Sequence, residues 1–304
     1  MITYKELLTK STNAVTKLQG LNVLPKDITG RYKYYHDLIR KLDYAYSNNE
    51  MMEFLKNNNY GETGFALKEL SELAYIFEHI FRAYSFMDTT SRDLLVEKTK
   101  VILRGPAFTA QETPNNSVAR NYQFELRVLA KLVETGYKDI KLRENPDIKV
   151  TIDKRAYDFE CKRILSASDK ALIYNANTAI NQLRDNMGNS HVGIVALDVS
   201  PKYEDGKNWL NSPSRQKADS YVLDQLEKKA FTLYGRLQKI QEAGRKNNVI
   251  AILLNISSVY KLKNNELGWI NELGILVLDK ENPNSAKMFL SDFDSLKNSK
   301  VIVD

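Results

Sequence analysis

Asp147, Glu160 and Lys162 are the residues of this chain whose types and spacing could do chemistry together. They fall between Asn145 and Ile164, N-P-D-I-K-V-T-I-D-K-R-A-Y-D-F-E-C-K-R-I, where two alternating stretches flank a polar turn. Alternation of period two marks strands, so a β-hairpin is predicted. In the first arm Ile148, Val150 and Ile152 share one face, and Asp147, Lys149 and Thr151 the other. In the second arm Tyr157, Phe159 and Cys161 point away from Asp158, Glu160 and Lys162. With Lys154 and Arg155 at the tip, Thr151 stands opposite Asp158, Lys149 opposite Glu160 and Asp147 opposite Lys162. Asp147 is then diagonal to Glu160, at roughly 7–8 Å. Carboxylates gathered without a cation repel, and one of them tends to keep its proton. Clustered oxygen donors of this kind suit a hard divalent ion. Taken alone, the hairpin has a plainer reading as a solvent-facing charged surface with Lys149 and Glu160 as a cross-strand pair.

The flanking elements must position these groups. A helix is predicted from Ser117, as N-cap, to Gly136, as C-cap, with Val118, Tyr122, Leu129 and Leu132 in an apolar stripe. Glu125 falls inside that stripe, where a carboxylate is costly unless it is paired or binds metal. Either a structural Arg or Lys partner or a role in the site would satisfy it. Tyr137 to Leu142 is expected to be a first strand. Ser168 and Asp169 can cap a helix from about Lys170 to Met187 with Leu172, Ala176, Ala179, Ile180, Leu183 and Met187 buried, and Val192 to Leu197 reads as a buried strand.

Pro146-Asp147 followed by Glu160-Cys161-Lys162 resembles the signature of the PD-(D/E)xK nuclease superfamily, an acid on one strand and acid-x-Lys on the next. The run Glu-Cys-Lys-Arg between its neighbouring elements resembles the restriction-endonuclease-like members. The resemblance covers roughly residues 117–200 and implies an α/β fold, an αβββαβ core with a mixed central sheet. It also implies that Asp147, Glu160 and the Cys161 carbonyl bind Mg²⁺, with Mn²⁺ as a substitute. Glu125 would assist through water or a second metal, and Lys162 would position or activate the attacking water. Asp158 is the rival acid, because it shares the face of Glu160 and Lys162. Gln182 lies on the helix that lines the site in some such families, although those carry Gln-x-x-x-Tyr and here residue 186 is Asn. Arg163 is a further site-lining candidate. On the same grounds DNA is favoured over RNA as partner, a restriction or defence role over repair, and a homodimer for cutting both strands. The competing class is a nucleic-acid-binding or assembly protein on the same fold without turnover.

The remainder of the chain sets bounds. Its 304 residues, 43% hydrophobic and 27% charged, are enough for a sizeable core, and a net charge of +6 permits a polyanionic partner without demanding one. Residues 1–104 are predicted to be helical, with helices over Tyr4–Leu18, Asp27–Tyr46, Phe65–Phe86 and Ser91–Leu103, and their aromatic stripes read as bundle core. Residues 105–116 are the candidate linker, and 117–304 the nuclease-like part with a C-terminal extension from about 201. A helix over Lys217–Arg245 and strands at Val249–Ser257 and Gly274–Leu278 are expected in that extension. Cys161 is the single cysteine, which excludes an intramolecular disulfide and suits a cytoplasmic setting. No signal-like segment and no run long enough to span a membrane is present. His36, His79 and His191 have no zinc spacing, and phosphate-binding, dinucleotide and Cys-x-x-Cys motifs are missing.

Overall fold

A computed structural model describes residues 3–57, 60–107, 117–164, 168–188, 190–200, 210–234, 248–262, 267–278, 283–293 and 300–302. Most of the candidate linker therefore lies outside the described residues. Five helices come first: α1 (Tyr4–Gly20), α2 (Arg31–Ser47), α3 (Met51–Asn57), α4 (Tyr60–Tyr84) and α5 (Thr89–Arg104). Then follow α6 (Val118–Glu134), β1 (Ile140–Leu142), β2 (Ile148–Ile152), β3 (Arg155–Arg163), α7 (Asp169–Asn186) and β4 (Val192–Asp198). The chain continues through β5 (Leu210–Asn211), α8 (Arg215–Tyr234), β6 (Val249–Lys261), β7 (Leu267–Val277), α9 (Pro283–Asp292) and β8 (Lys300–Ile302). The expected α/β class, with helices first and a mixed sheet after, is what the structure shows.

The strands form one sheet in the order β1-β2-β3-β4-β6-β7-β8, with β5 also paired to β6. β1, β2 and β3 pair antiparallel, while β3, β4 and β6 run parallel. Parallel neighbours need crossover connections, which α7 and α8 supply. The sheet divides the apolar interior. Tyr157, Phe159, Cys161, Ile194 and Ala196 pack with α4 and α6 on one face. Val195, Leu197, Ile252 and Leu254 pack with α7 and α8 on the other. Strands covered on both faces read as continuous apolar runs, and all seven residues of β4 are buried.

Several expectations are corrected here. The second helix starts at Arg31 rather than Asp27, because Gly30 adopts φ +73° and a Cβ there would lie 2.7 Å from the Leu103 carbonyl oxygen. The short α3 is not foreseen at all. Val118, expected in a buried stripe, is 41% exposed, whereas α6 is otherwise buried nearly all round. The reason is that α6 lies between α4 and α5 on one side and the sheet on the other, so a single-stripe pattern does not describe it. Met187 is only half-buried; Leu172, Ala176, Ala179, Ile180 and Leu183 are buried as expected, and the Ser168 side chain accepts from the Ala171 amide as N-cap. The last part of the helix expected over Lys217–Arg245 lies outside the described residues.

A buried charge network fixes α6 in its slot. Arg120 reaches Glu69 of α4 at 2.5 Å. Arg127 reaches Glu72 of α4 at 3.1 Å and Asp198 of β4 at 3.3 Å. Burial alone would push Glu69 up, but Arg120, Lys68 and Arg31 hold it at about 2. Removing one partner from such a set leaves a charge with no compensation in an apolar interior, which makes the placement of α6 specific.

Candidate active site

The hairpin is tighter than expected. Asp153 and Lys154 form a two-residue turn with φ +47° and +69°, a geometry that matches the twist of the flanking strands. Ile152 therefore pairs with Arg155, Thr151 with Ala156, Lys149 with Asp158 and Ile148 with Phe159. The predicted register is off by two residues, because the sequence has no Asn-Gly or Asp-Gly to mark the turn. A shift of two keeps every side chain on its face. One step beyond the last paired residues, it sets Asp147 across from Glu160 rather than diagonal to it.

Asp147 follows the Asn145–Pro146 peptide and is 7% exposed. Its Oδ2 accepts the Cys161 backbone N–H at 2.7 Å. In an extended strand the N–H and C=O of one residue point to the same side, so the Cys161 carbonyl is directed toward the Asp147 end of β2 as well. The Cys161 side chain lies in the core, where burial and then the Asp147 charge raise its thiol well above the ordinary value. Glu160, 1% exposed, accepts Lys162 Nζ at 2.7 Å through Oε1, while its buried Oε2 has no hydrogen-bond partner. The Lys162 side chain keeps 24% exposure, so the patch communicates with solvent at that point.

Glu125 projects from α6 into the same region. Its carboxylate is paired with Lys98 of α5, so the structural-partner alternative raised for Glu125 is met, and by a residue that sequence reasoning passed over. The electrostatics join the two alternatives. Burial first, and then the Asp147 charge, push Glu125 up to about 7 against the pull of Lys98. The same two causes push Glu160 up to about 7 against the pull of Lys162. Asp147 is itself raised by burial, against the Cys161 N–H, Lys98 and Lys162. Three carboxylates are thus close enough to oppose one another's ionisation, and two ammonium groups partly offset them.

Lys98 had a readable signal. On α5 Ser91, Leu95, Lys98, Thr99 and Ile102 form the buried face, so Lys98 sits inside an apolar stripe as Glu125 does in α6. Its ammonium also lies 4.6 Å from the centre of the Tyr122 ring. Burial would lower Lys98, but Glu125 and then Asp147 raise it above the ordinary lysine value, so it is held as a cation.

The other candidates have surroundings of their own. Asp158 is fully buried and bonded through Oδ2 to His191 Nδ1 at 2.6 Å, with Lys149 Nζ 3.4 Å from His191 Nε2. This second cluster, which brings in a histidine read from sequence as unremarkable, engages the rival acid. Gln182 lies near the C-terminal end of α7, and its buried Oε1 has no hydrogen-bond partner among the described residues. Arg163 leaves β3 on the face opposite Lys162, pairs in register with Asp198 and helps hold that carboxylate below its ordinary value.

Among the described residues no group of three or more His, Cys, Asp and Glu side chains forms a ready-made metal cage. Mg²⁺ is commonly held by one or two carboxylates with the rest of its shell from water and substrate phosphate. The unpartnered Oε2 of Glu160, the Glu125 and Glu160 carboxyls each raised to about 7 by burial and then by Asp147, and the all-oxygen donor set fit that demand. Comparison of the chain with protein-family models, with curated proteins and with solved structures finds no match.

Proposed function

We propose that this protein is a metal-dependent nuclease that hydrolyses phosphodiester bonds in DNA, with Asp147, Glu160 and the Cys161 carbonyl holding Mg²⁺ or Mn²⁺. The observation that carries the reading is the end of the hairpin, where Asp147, one step beyond the paired residues of β2, stands across from Glu160, its Oδ2 accepts the Cys161 N–H at 2.7 Å, and Lys162 pairs with Glu160 at the exposed edge. A fold does not maintain buried carboxylates that oppose one another's ionisation without cost, and a bound cation removes that cost. The likeness of Pro146-Asp147 and Glu160-Cys161-Lys162 to the PD-(D/E)xK nucleases supports the same chemistry. So does the order α6, β1, β2, β3, α7, β4 around the patch.

When bound, the ion would supply Lewis acidity to a water and to the scissile phosphate. The chain's own groups do the rest. Lys162, drawn toward Glu160, holds a water at the exposed edge and offsets the negative charge that grows on the phosphate oxygens. Water attacks phosphorus and gives up a proton to solvent, the bond from phosphorus to the leaving oxygen breaks, and that oxygen takes a proton from solvent. Glu125 contributes through water. The reading extends to a restriction or defence role and to a homodimer for cutting both strands, and places the protein in the cytoplasm. The structure contributes one fact to this: no described helix is long and apolar enough to cross a membrane.

The test is cleavage of supercoiled plasmid and linear duplex by the full chain with Mg²⁺, with Mn²⁺ and with EDTA, beside Asp147→Asn and Lys162→Ala. Metal-dependent cutting that falls by about 10²-fold or more in both variants is the expected result. Cutting that persists in EDTA, or that both variants retain in full, would refute the assignment. If neither DNA nor RNA is cut, the binding-protein class takes its place.

A further inference from the structure

Lys149 stands directly opposite Asp158 in the β2–β3 ladder, an arrangement that ordinarily gives a cross-strand ion pair. Here the His191 ring bridges the two instead. Its Nδ1 lies 2.6 Å from Asp158 Oδ2 and its Nε2 3.4 Å from Lys149 Nζ. An ammonium can only donate, so Nε2 accepts and the ring proton sits on Nδ1, facing the carboxylate. The ring is also fixed from behind. The His191 N–H donates to the Gly188 carbonyl at 2.9 Å, a Cβ at Gly188 would meet the imidazole at 2.9 Å, and the Asn248 side chain donates to the His191 carbonyl. Asp158 is fully buried, and its Oδ1 has no hydrogen-bond partner among the described residues. A buried oxygen left unsatisfied costs stability, which an arrangement serving stability alone would avoid.

The outcome is a lysine drawn to one point with its charge not neutralised. Among the described residues no carboxylate forms an ion pair with Lys149, and the imidazole engages only one of its N–H groups. That point adjoins the candidate metal site. Lys149 follows Asp147 by two residues on β2, and Asp158 precedes Glu160 by two on β3, all on one face of the hairpin. Two residues of strand span roughly 6.6 Å, close to the separation of neighbouring phosphates on a nucleic-acid strand. We propose that Lys149, held by His191 and Asp158, binds the phosphate next to the scissile one. The inference rests on the nuclease reading and deepens it, giving the attacked strand an anchor that is independent of base sequence and of the metal. His191 and Asp158 are positioning residues, acting through Lys149 and not on the reacting atoms. A contact to a phosphate that does not react holds ground state and transition state alike, so its loss raises KM and leaves kcat in place.

The experiment reads charge contacts directly. A fluorescein-labelled DNA duplex is titrated with the full-length chain in EDTA over a series of NaCl concentrations, with anisotropy as readout, for the wild type, Lys149→Gln, Lys149→Arg and His191→Ala. Cleavage with Mg²⁺ supplies kcat and KM for the same proteins, and thermal unfolding confirms that each is folded. Loss of one phosphate contact makes the slope of log affinity against log salt shallower by about 1. Lys149→Gln is expected to show that change, to bind about tenfold more weakly at low salt, and to raise KM about tenfold with kcat within about twofold of wild type. Lys149→Arg should keep both affinity and slope, and His191→Ala should keep the slope while binding a few-fold more weakly. Unchanged affinity and slope in Lys149→Gln would overturn the Lys149 inference and leave the nuclease reading standing. Weaker binding with an unchanged slope in that variant, or a fall in kcat with KM unaltered, would do the same. A wild type that neither binds nor cuts DNA would remove the nuclease reading itself, and with it the inference.

Discussion

Replacing Glu160 by glutamine should stabilise the metal-free protein at pH 8 and change it little at pH 4. Glu160 is raised from 4.5 to about 7, first by burial and then by Asp147. A carboxyl raised in the folded state contributes stability that is fully present below its unfolded value, near 4.5, and lost as pH rises through its folded value, near 7. At about 1.4 kcal/mol per pH unit, a shift of this size means that ionising Glu160 costs the folded state about 3 kcal/mol by pH 8. The glutamine amide carries no charge and so avoids that cost, but it leaves Lys162 without its ion pair at 2.7 Å. The net gain expected at pH 8 is therefore about 1–3 kcal/mol, or a rise of several degrees in Tm. Urea and thermal unfolding in EDTA at both pH values measure it. Saturating Mg²⁺ should then stabilise the wild type more than Glu160→Gln, since only the wild type keeps both binding carboxylates. A variant equally destabilised at pH 4 and pH 8 would show that Glu160 is an ordinary ion-paired residue, and the reasoning from crowded carboxylates would fail.

Two other perturbations separate the site from its surroundings. Asp158→Asn should leave metal-dependent cleavage within a few-fold of wild type, because Asp158 is engaged by His191; loss of cutting comparable to that of Asp147→Asn would mean that the rival acid is the true ligand. Arg127→Met breaks contacts to Glu72, Asp198 and Asn271 at once and should cost about 3–5 kcal/mol in unfolding experiments; a loss under about 1 kcal/mol would show that the buried network is not what fixes α6.

Much of the fold was legible because its signals are local. Ser168 as a cap, the apolar face of α7 and the unbroken apolar run of β4 each follow from adjacent residues and are found where expected. The hairpin was legible in its faces and not in its register, since alternation survives a slip of two residues while the turn that sets register was an unmarked Asp153-Lys154 pair. The surroundings of Val118 were misread for a different reason. A stripe pattern describes a helix with one wet face, and α6 has almost none, because charged residues on its remaining faces are buried in pairs rather than solvated. Paired burial makes a polar residue count as core, which hydropathy patterning does not register.

The same blindness hid Lys98, and the way it was hidden says something about how the site is assembled. Glu125 alone, within an apolar stripe, signalled a missing partner; Lys98, within its own stripe on α5, signalled another. Each is unfavourable by itself, since a lone charge in a core costs several kcal/mol, so two such residues of opposite sign in neighbouring helices carry a testable expectation that they meet. Sequence distance concealed the match: the two are 27 positions apart with a proline-containing segment between them. If the pairing is what seats α5 against the sheet, then Lys98 and Glu125 changed together to Met and Leu should lose less stability than the sum of the single changes, by about 1–3 kcal/mol in a double-mutant cycle. Additive losses would mean that Lys98 and Glu125 answer separately to Asp147, and that the helical region contributes a charge to the patch without being held by it.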